Sequence, residues 1–224
     1  MKQTTILFDI NETVLNLNVL RPKFKSIFGD ECYTDTWFSM LLHASTVSMI
    51  TGVKTNFATL SKIMLEALAG KKGIELSSDQ IDSVVGGFSS LPAHPDIKTA
   101  LASLRSAGFR LVAFSNSSLN LINNQIHNAG LDSYFDELIS VEEAGTFKPS
   151  PAAYEFVASK LGQPKAKLRL VATHDWDIHG AMSAGLQGAY IDRSGAPYHP
   201  LYIKPDIDAS TMDDIAAKII ATDD

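Results

Sequence analysis

Cysteine is nearly absent: Cys32 is the single one in 224 residues. One thiol excludes an internal disulfide and a cysteine-based metal cage within one chain, and no activating base lies near it in sequence, so Cys32 is not read as a nucleophile. Long apolar runs are lacking too. None approaches the roughly 20 residues of a membrane span, and Met-Lys-Gln at the start leads into an apolar run with no cleavable signal pattern. A cytoplasmic protein with no membrane partner is expected. Basic residues are in the minority, 19 Lys and Arg against 25 Asp and Glu for a net charge of −6. That balance argues against a nucleic-acid or anionic-membrane surface and leaves a small molecule as the expected partner. Apolar side chains, in contrast, make up 45% of the chain, enough to bury a substantial core in one or two domains.

The stretch Thr5–Val14 organises the rest. Its apolar run Ile6–Phe8 reads as a short buried strand that ends in a carboxylate, Asp9. In an open parallel sheet the carboxyl ends of the strands are where ligands bind, which suits Asp9 to chemistry; the alternative is that it caps the next turn. From Leu15 to about Pro92 strand signals disappear. Apolar spacings such as Trp37, Met40, Leu41 and Phe57, Leu60, Ile63, Met64, Leu68 predict amphipathic helices, and Ser77 with Gln80 forms a capping box before Ile81 and Val84. Leu91-Pro-Ala-His-Pro95 then breaks the helical pattern and returns the chain.

Beyond Asp96 helix and strand patterns alternate. Helices are predicted over 97–107, 119–128, 152–161 and 178–184, and strands over 110–114, 137–141, 168–172 and 188–191. The economical architecture is α/β: a doubly wound parallel sheet with helices on both faces, interrupted after its first strand by a helical cap. The core is assigned to 1–14 and 93–224 and the cap to 15–92. The tail, Thr222 to Asp224, is expected to fray.

The strand ends gather one constellation. Asp9, Ser115 and Asn116, Lys148, and the run Thr173-His-Asp-Trp-Asp177 should converge, because adjacent strands lie about 5 Å apart. Aspartate can act as a covalent nucleophile; Ser115 and Asn116 could polarise a substrate, and Lys148 could keep Asp9 ionised. His174 has the titration range for proton transfer, its plain alternative being a backbone hydrogen bond in the loop. Asp175 and His179 could hold zinc if they shared one helical face. Tyr154 suits either core packing or a substrate contact, and Trp37, Phe38, Phe57 and Trp176 either line an apolar pocket or belong to the core.

Taken together, Phe8-Asp9-Ile-Asn-Glu-Thr13, Ser115-Asn116, Lys148-Pro149 with Tyr154, and Trp176-Asp177-Ile-His-Gly180-Ala181 resemble the haloacid dehalogenase superfamily, and most of all its type II 2-haloacid dehalogenases. The resemblance spans nearly the whole chain and implies a Rossmann-like core. It implies that Asp9 attacks carbon, that Lys148 steadies it, that Asp177 helps activate the hydrolytic water, and that Thr13, Ser115 and Asn116 hold substrate or leaving group. Asn11 stands where the superfamily's phosphatases have a second aspartate; an amide cannot transfer that proton, and halide needs none to leave. Thr173 or Ala172 stands where a first acidic magnesium ligand would be. Phe38 occupies the place of an arginine that clamps the substrate carboxylate, with Arg21 as a substitute cation, and Ala172 and His174 replace a serine and an asparagine. The expected set is therefore Asp9, Lys148, Asp177 and His174 for catalysis, with Asn11, Thr13, Ser115, Asn116, Tyr154, Trp37 and Phe38 around the substrate. No metal or cofactor is expected unless the protein is instead a magnesium-dependent phosphatase of a small metabolite; the remaining alternative is a catalytically silent binder. The resemblance also implies a homodimer.

Overall fold

The run Thr5–Phe8 forms strand β1 and is buried at every position, as an apolar strand covered on both faces must be. A computed structural model describes residues 4–223; Met1 to Gln3, where the chain was read as lacking a signal pattern, and Asp224 lie outside the described residues. The other strands are β2 (Arg110–Ser115), β3 (Glu137–Ser140), β4 (Leu168–Ala172), β5 (Gln187–Ile191) and β6 (Ile207–Ala209). All pair in parallel, in the order β3-β2-β1-β4-β5-β6. The order reverses around β1, which places a crevice at its carboxyl end.

Between β1 and β2 run five helices, α1 (Arg21–Phe28), α2 (Tyr33–Thr51), α3 (Phe57–Lys71), α4 (Ser78–Gly86) and α5 (Ile97–Ser106). Helix α4 begins at the Ser77–Gln80 capping box, with both reciprocal hydrogen bonds formed. The two legs that connect α1–α4 to the sheet run beside each other. Asn16 N donates to Pro92 O (2.8 Å), His94 N donates to Val14 O (3.0 Å), and Leu15 faces Ala93 in an antiparallel bridge. The remaining helices are α6 (Leu119–Asn128), α7 (Pro151–Leu161), α8 (Asp175–Ser183) and α9 (Met212–Thr222).

Three differences from the sequence reading have local causes. Helix α8 starts at Asp175 rather than 178, because Asp175 and Asp177 in its first turn suit the helix's positive end. Strand β6 has three residues and buries only Ile207, too short a pattern to read, whereas α9 carries a Thr211 cap and Met212, Ile215, Ala216 and Ile219 at helical spacing. The tail does not fray at Asp223: its carboxylate takes two hydrogen bonds (2.7 and 2.8 Å) from Arg169, a guanidinium buried within β4 that also meets Asp206. Asp223→Ala is therefore expected to leave a buried cation short of its main partner and to lower unfolding stability by about 3 kcal/mol. Urea titration checks this; an unchanged midpoint would show that Asp206 alone satisfies Arg169.

Candidate active site

Asp9 follows the last residue of β1, and its backbone N–H still donates to Val171 O, so the sheet fixes its position. Its side chain is 8% exposed and fully engaged. Lys148 Nζ donates to Oδ1 (2.9 Å), Thr13 Oγ1 donates to Oδ2 (2.8 Å), and His174 Nδ1 lies 3.1 Å from Oδ2. Burial pushes the Asp9 pKa up, but Lys148 and His174 outweigh it and hold the carboxyl well below the usual range. Lys148 has no exposed side-chain surface, and its three donors meet Asp9, Phe114 O (3.1 Å) and Asp177 Oδ2 (2.6 Å). Burial lowers its pKa, yet Asp177 and Asp9 more than compensate and raise it, so the ammonium stays charged.

His174, the cap residue of α8, bridges two carboxylates. Its Nε2 lies 2.9 Å from Glu12 Oε2 while Nδ1 faces Asp9. Burial alone would lower its pKa; hydrogen bonds to Asp9 and Glu12 raise it instead to about 10. The ring is thus an imidazolium, with both N–H groups donating. Phe38 packs at 6.2 Å and Trp176 stacks at 5.1 Å between ring centroids.

The other predicted residues divide into those that meet and those that do not. Asp177 is fully buried and bonded to Lys148 and to the Tyr154 hydroxyl (2.6 Å), so Tyr154 reaches the centre through Asp177. Asn116 Oδ1 accepts from Lys148 N (2.9 Å), leaving its amide nitrogen without a partner among the described residues; Ser115 Oγ accepts from Ser117 N (3.2 Å). Thr13 is committed at both ends, donating to Asp9 and accepting from Thr173 N (3.0 Å). Asn11 turns away from Asp9: its Nδ2 donates to Ser117 Oγ (3.2 Å) and its Oδ1 accepts from Gln125 Nε2 (2.9 Å). Trp37 is interior to the helical segment, where its Nε1 donates to Ser61 O and its ring packs on Phe24 and Phe88. Phe57 is likewise buried core.

Arg21 supplies no cation to this centre, because Asp35 takes it in two hydrogen bonds (2.8 and 2.9 Å) and Asn18 takes its Nε. The zinc arrangement fails as well. His179 stacks on Tyr202 at 4.4 Å and its Nδ1 accepts from Ile203 N, while Asp175 Oδ1 accepts from Trp176 N. Among the described residues no group of three or more His, Cys, Asp or Glu is arranged to hold a metal ion. Cys32 is exposed, and its hydrogen bond with Asp30 raises the thiol pKa, which weakens it as a nucleophile.

Sequence reasoning missed Glu12 and the cavity wall. Glu12 was legible as the remaining acid in the Asn11–Thr13 loop once His174 needed an anionic partner. A cavity of about 350 Å³ opens beside Lys148 and Trp176, walled by Ser39, Leu42, His43, Ser45 and Thr46 of α2. Ser45 and Thr46 spend their hydroxyl hydrogens on Leu42 O (2.8 and 3.0 Å), so both offer lone pairs to the cavity.

Residues 3–185 match the sequence model of haloacid dehalogenase-like hydrolases. The chain is 29% identical to (S)-2-haloacid dehalogenase 2 of Pseudomonas sp. (strain CBS-3) over 80% of its length and 78% of that protein's. It is 36% identical to haloacetate dehalogenase H-2 of Moraxella sp. (strain B), over 56% of each chain. In fold it is similar to the L-2-haloacid dehalogenase of Xanthobacter autotrophicus with chloropropionic acid covalently bound: TM-score 0.90, 22% identity and 99% coverage of both chains.

Proposed function

The chain belongs to the haloacid dehalogenase-like hydrolases, and from that premise we propose that it displaces halide from a small 2-haloacid-like substrate through an ester on Asp9. The observation that carries this reading is the Asp9 carboxylate, ionised at the sheet's carboxyl edge and oriented by Lys148, Thr13 and His174. Asp9 oxygen attacks the halogen-bearing carbon, the carbon–halogen bond breaks with its electron pair, and halide leaves. Esterification removes the Asp9 charge that held the His174 proton, and the imidazolium releases it; water then adds to Asp9 Cγ as the neutral ring takes one of its protons. The Cγ–O bond to the substrate breaks, that proton passes from His174 to the departing oxygen, and the second water proton moves from Asp9 to His174, restoring the imidazolium and a carboxylate that carries one oxygen from water. The net change is organohalide plus water to 2-hydroxy acid, halide and a proton.

In this reading Asp177 and Tyr154 orient Lys148, the Asn116 amide and Ser115 hydroxyl hold the substrate, and Glu12 with His174 activates water. Helices α1–α4 act as a cap that closes the cavity, and Phe38 and Trp176 flank His174 on its apolar sides. Water is the sole co-reactant and no cofactor takes part; the setting is the cytoplasm. The phosphatase alternative lacks its acid, since the Asn11 side chain is engaged by Ser117 and Gln125 rather than facing a leaving group.

Turnover of a 2-haloacid panel in oxygen-18 water, followed by mass spectrometry of the Asp9 peptide, tests the reading. Label in the Asp9 carboxylate, accompanied by halide release that Asp9→Asn abolishes, is expected. Halide release with label only in the product would replace covalent catalysis by direct attack of water, and absence of both would remove the haloacid assignment.

A further inference from the structure

Resting on the reading that Glu12 and His174 activate water together, we propose that His94 is a positioning residue for ester hydrolysis, delivered to the loop after β1 by the returning leg of the helical segment. Among the described residues Glu12 is the one non-glycine with positive φ, at 64°. That left-handed backbone is costly for a residue with a Cβ, so it persists where surrounding contacts enforce it.

Two side chains enforce it. His94 Nε2 donates to Glu12 O (3.0 Å), and Arg193 Nη2 donates to Thr13 O (3.2 Å), so consecutive peptide carbonyls are clamped. Both donors answer to the same leg. His94 belongs to it and is pinned through its own N–H to Val14 O, while Arg193 is held by Asp96 two residues further on (2.7 Å). Burial and the charge of Arg193 lower the His94 pKa, which keeps its ring neutral with the N–H at the nitrogen that faces the carbonyl.

The consequence is directional. The clamped backbone sends the Glu12 carboxylate to His174 Nε2 at 2.9 Å, and the opposite ring nitrogen faces Asp9. A relaxed, right-handed Glu12 would swing that carboxylate off His174, while Asp9 stays fixed by β4 and Lys148 by Asp9, Phe114 O and Asp177. Loss of the clamp should therefore slow hydrolysis of the ester more than its formation.

The test compares His94→Phe, His94→Gln and Glu12→Gln in the full chain, with 2-chloropropionate as probe. Phenylalanine keeps a ring but has no donor; glutamine restores an N–H at similar reach. For His94→Phe the first-turnover chloride burst is expected within about threefold of the parent. Steady-state turnover should fall by about 30-fold or more, with ester accumulating on Asp9, and His94→Gln should recover to within about fivefold. Unchanged turnover in His94→Phe overturns the proposal. So does an equal loss of burst and turnover with no ester and no rescue by glutamine, the pattern of a merely structural role. Glu12→Gln separates the two claims: if it accumulates ester and His94→Phe does not, only the role of His94 fails. If Glu12→Gln hydrolyses its ester normally, the underlying pair fails.

Discussion

Lys148→Met is expected to reduce halide release by about 10³-fold or more and to destabilise the fold by about 3 kcal/mol. Methionine matches the length of the lysine stem but removes the charge that Asp9 and Asp177 share, at 2.9 and 2.6 Å. Both carboxylates would then be buried with like charge and no counterion between them. Burial is the largest single influence on the Asp9 pKa, and it acts upward; Lys148 is the largest opposing one. Without the lysine the Asp9 pKa rises. A protonated carboxyl is not a nucleophile, so the residual activity of Lys148→Met should climb with pH across a range where the parent enzyme's burst is flat. The double variant with Asp177→Asn removes the second charge and should recover much of the lost stability while leaving activity absent. Chloride release and urea unfolding measure the two effects separately. Activity within tenfold of the parent in Lys148→Met would remove Lys148 from the chemistry.

The ease of reading Asp9 and the difficulty of reading Glu12 come from the same physics. Asp9, Ser115 and Asn116 each end a buried apolar run, and parallel pairing then brings strand ends together without further information. Helix α4 was legible because a capping box is local, and α6 because Gly130 stops its apolar spacing. Glu12 depends on contacts that no local pattern encodes: a left-handed backbone fixed by His94, 82 residues later, and Arg193, 181 residues later. The resemblance puts Asn11 at the substrate, where the superfamily's phosphatases have a second aspartate. The turn at Glu12 sends it instead to Ser117 and Gln125, and Gln125 also donates to Phe88 O at the end of the helical segment. Trp37 and Phe38 show the limit of composition: these adjacent aromatic residues on α2 both pack on Phe88, yet Trp37 turns inward to Phe24 while Phe38 also reaches His174.

His174→Gln is expected to leave the first-turnover halide burst within about tenfold of the parent and to slow ester hydrolysis by roughly 10²–10⁴-fold. The asymmetry follows from charge. In the resting enzyme His174 is raised to about 10 by Asp9 and Glu12, so it holds its proton and serves Asp9 only as a donor. Glutamine replaces a donor adequately, and Lys148 and Thr13 remain in place. Esterification changes the balance, because it removes the charge of Asp9. Of the influences on His174, burial still lowers its pKa and only Glu12 is left to raise it. The pKa falls, the imidazolium gives up a proton, and the nitrogen that had donated to Asp9 becomes an acceptor beside the ester, with Glu12 holding the other N–H. The formation of the intermediate thus produces the base that destroys it. Two pH profiles follow: the burst should be independent of His174 below about pH 10, whereas ester hydrolysis should rise with pH along a limb that lies lower and that His174→Gln flattens. Rapid-quench mass measurement of the Asp9 ester across pH would give both. Hydrolysis at the parent rate in His174→Gln, or a limb that persists in it, would assign water activation to Asp177, whose two oxygens are bonded to Lys148 and Tyr154.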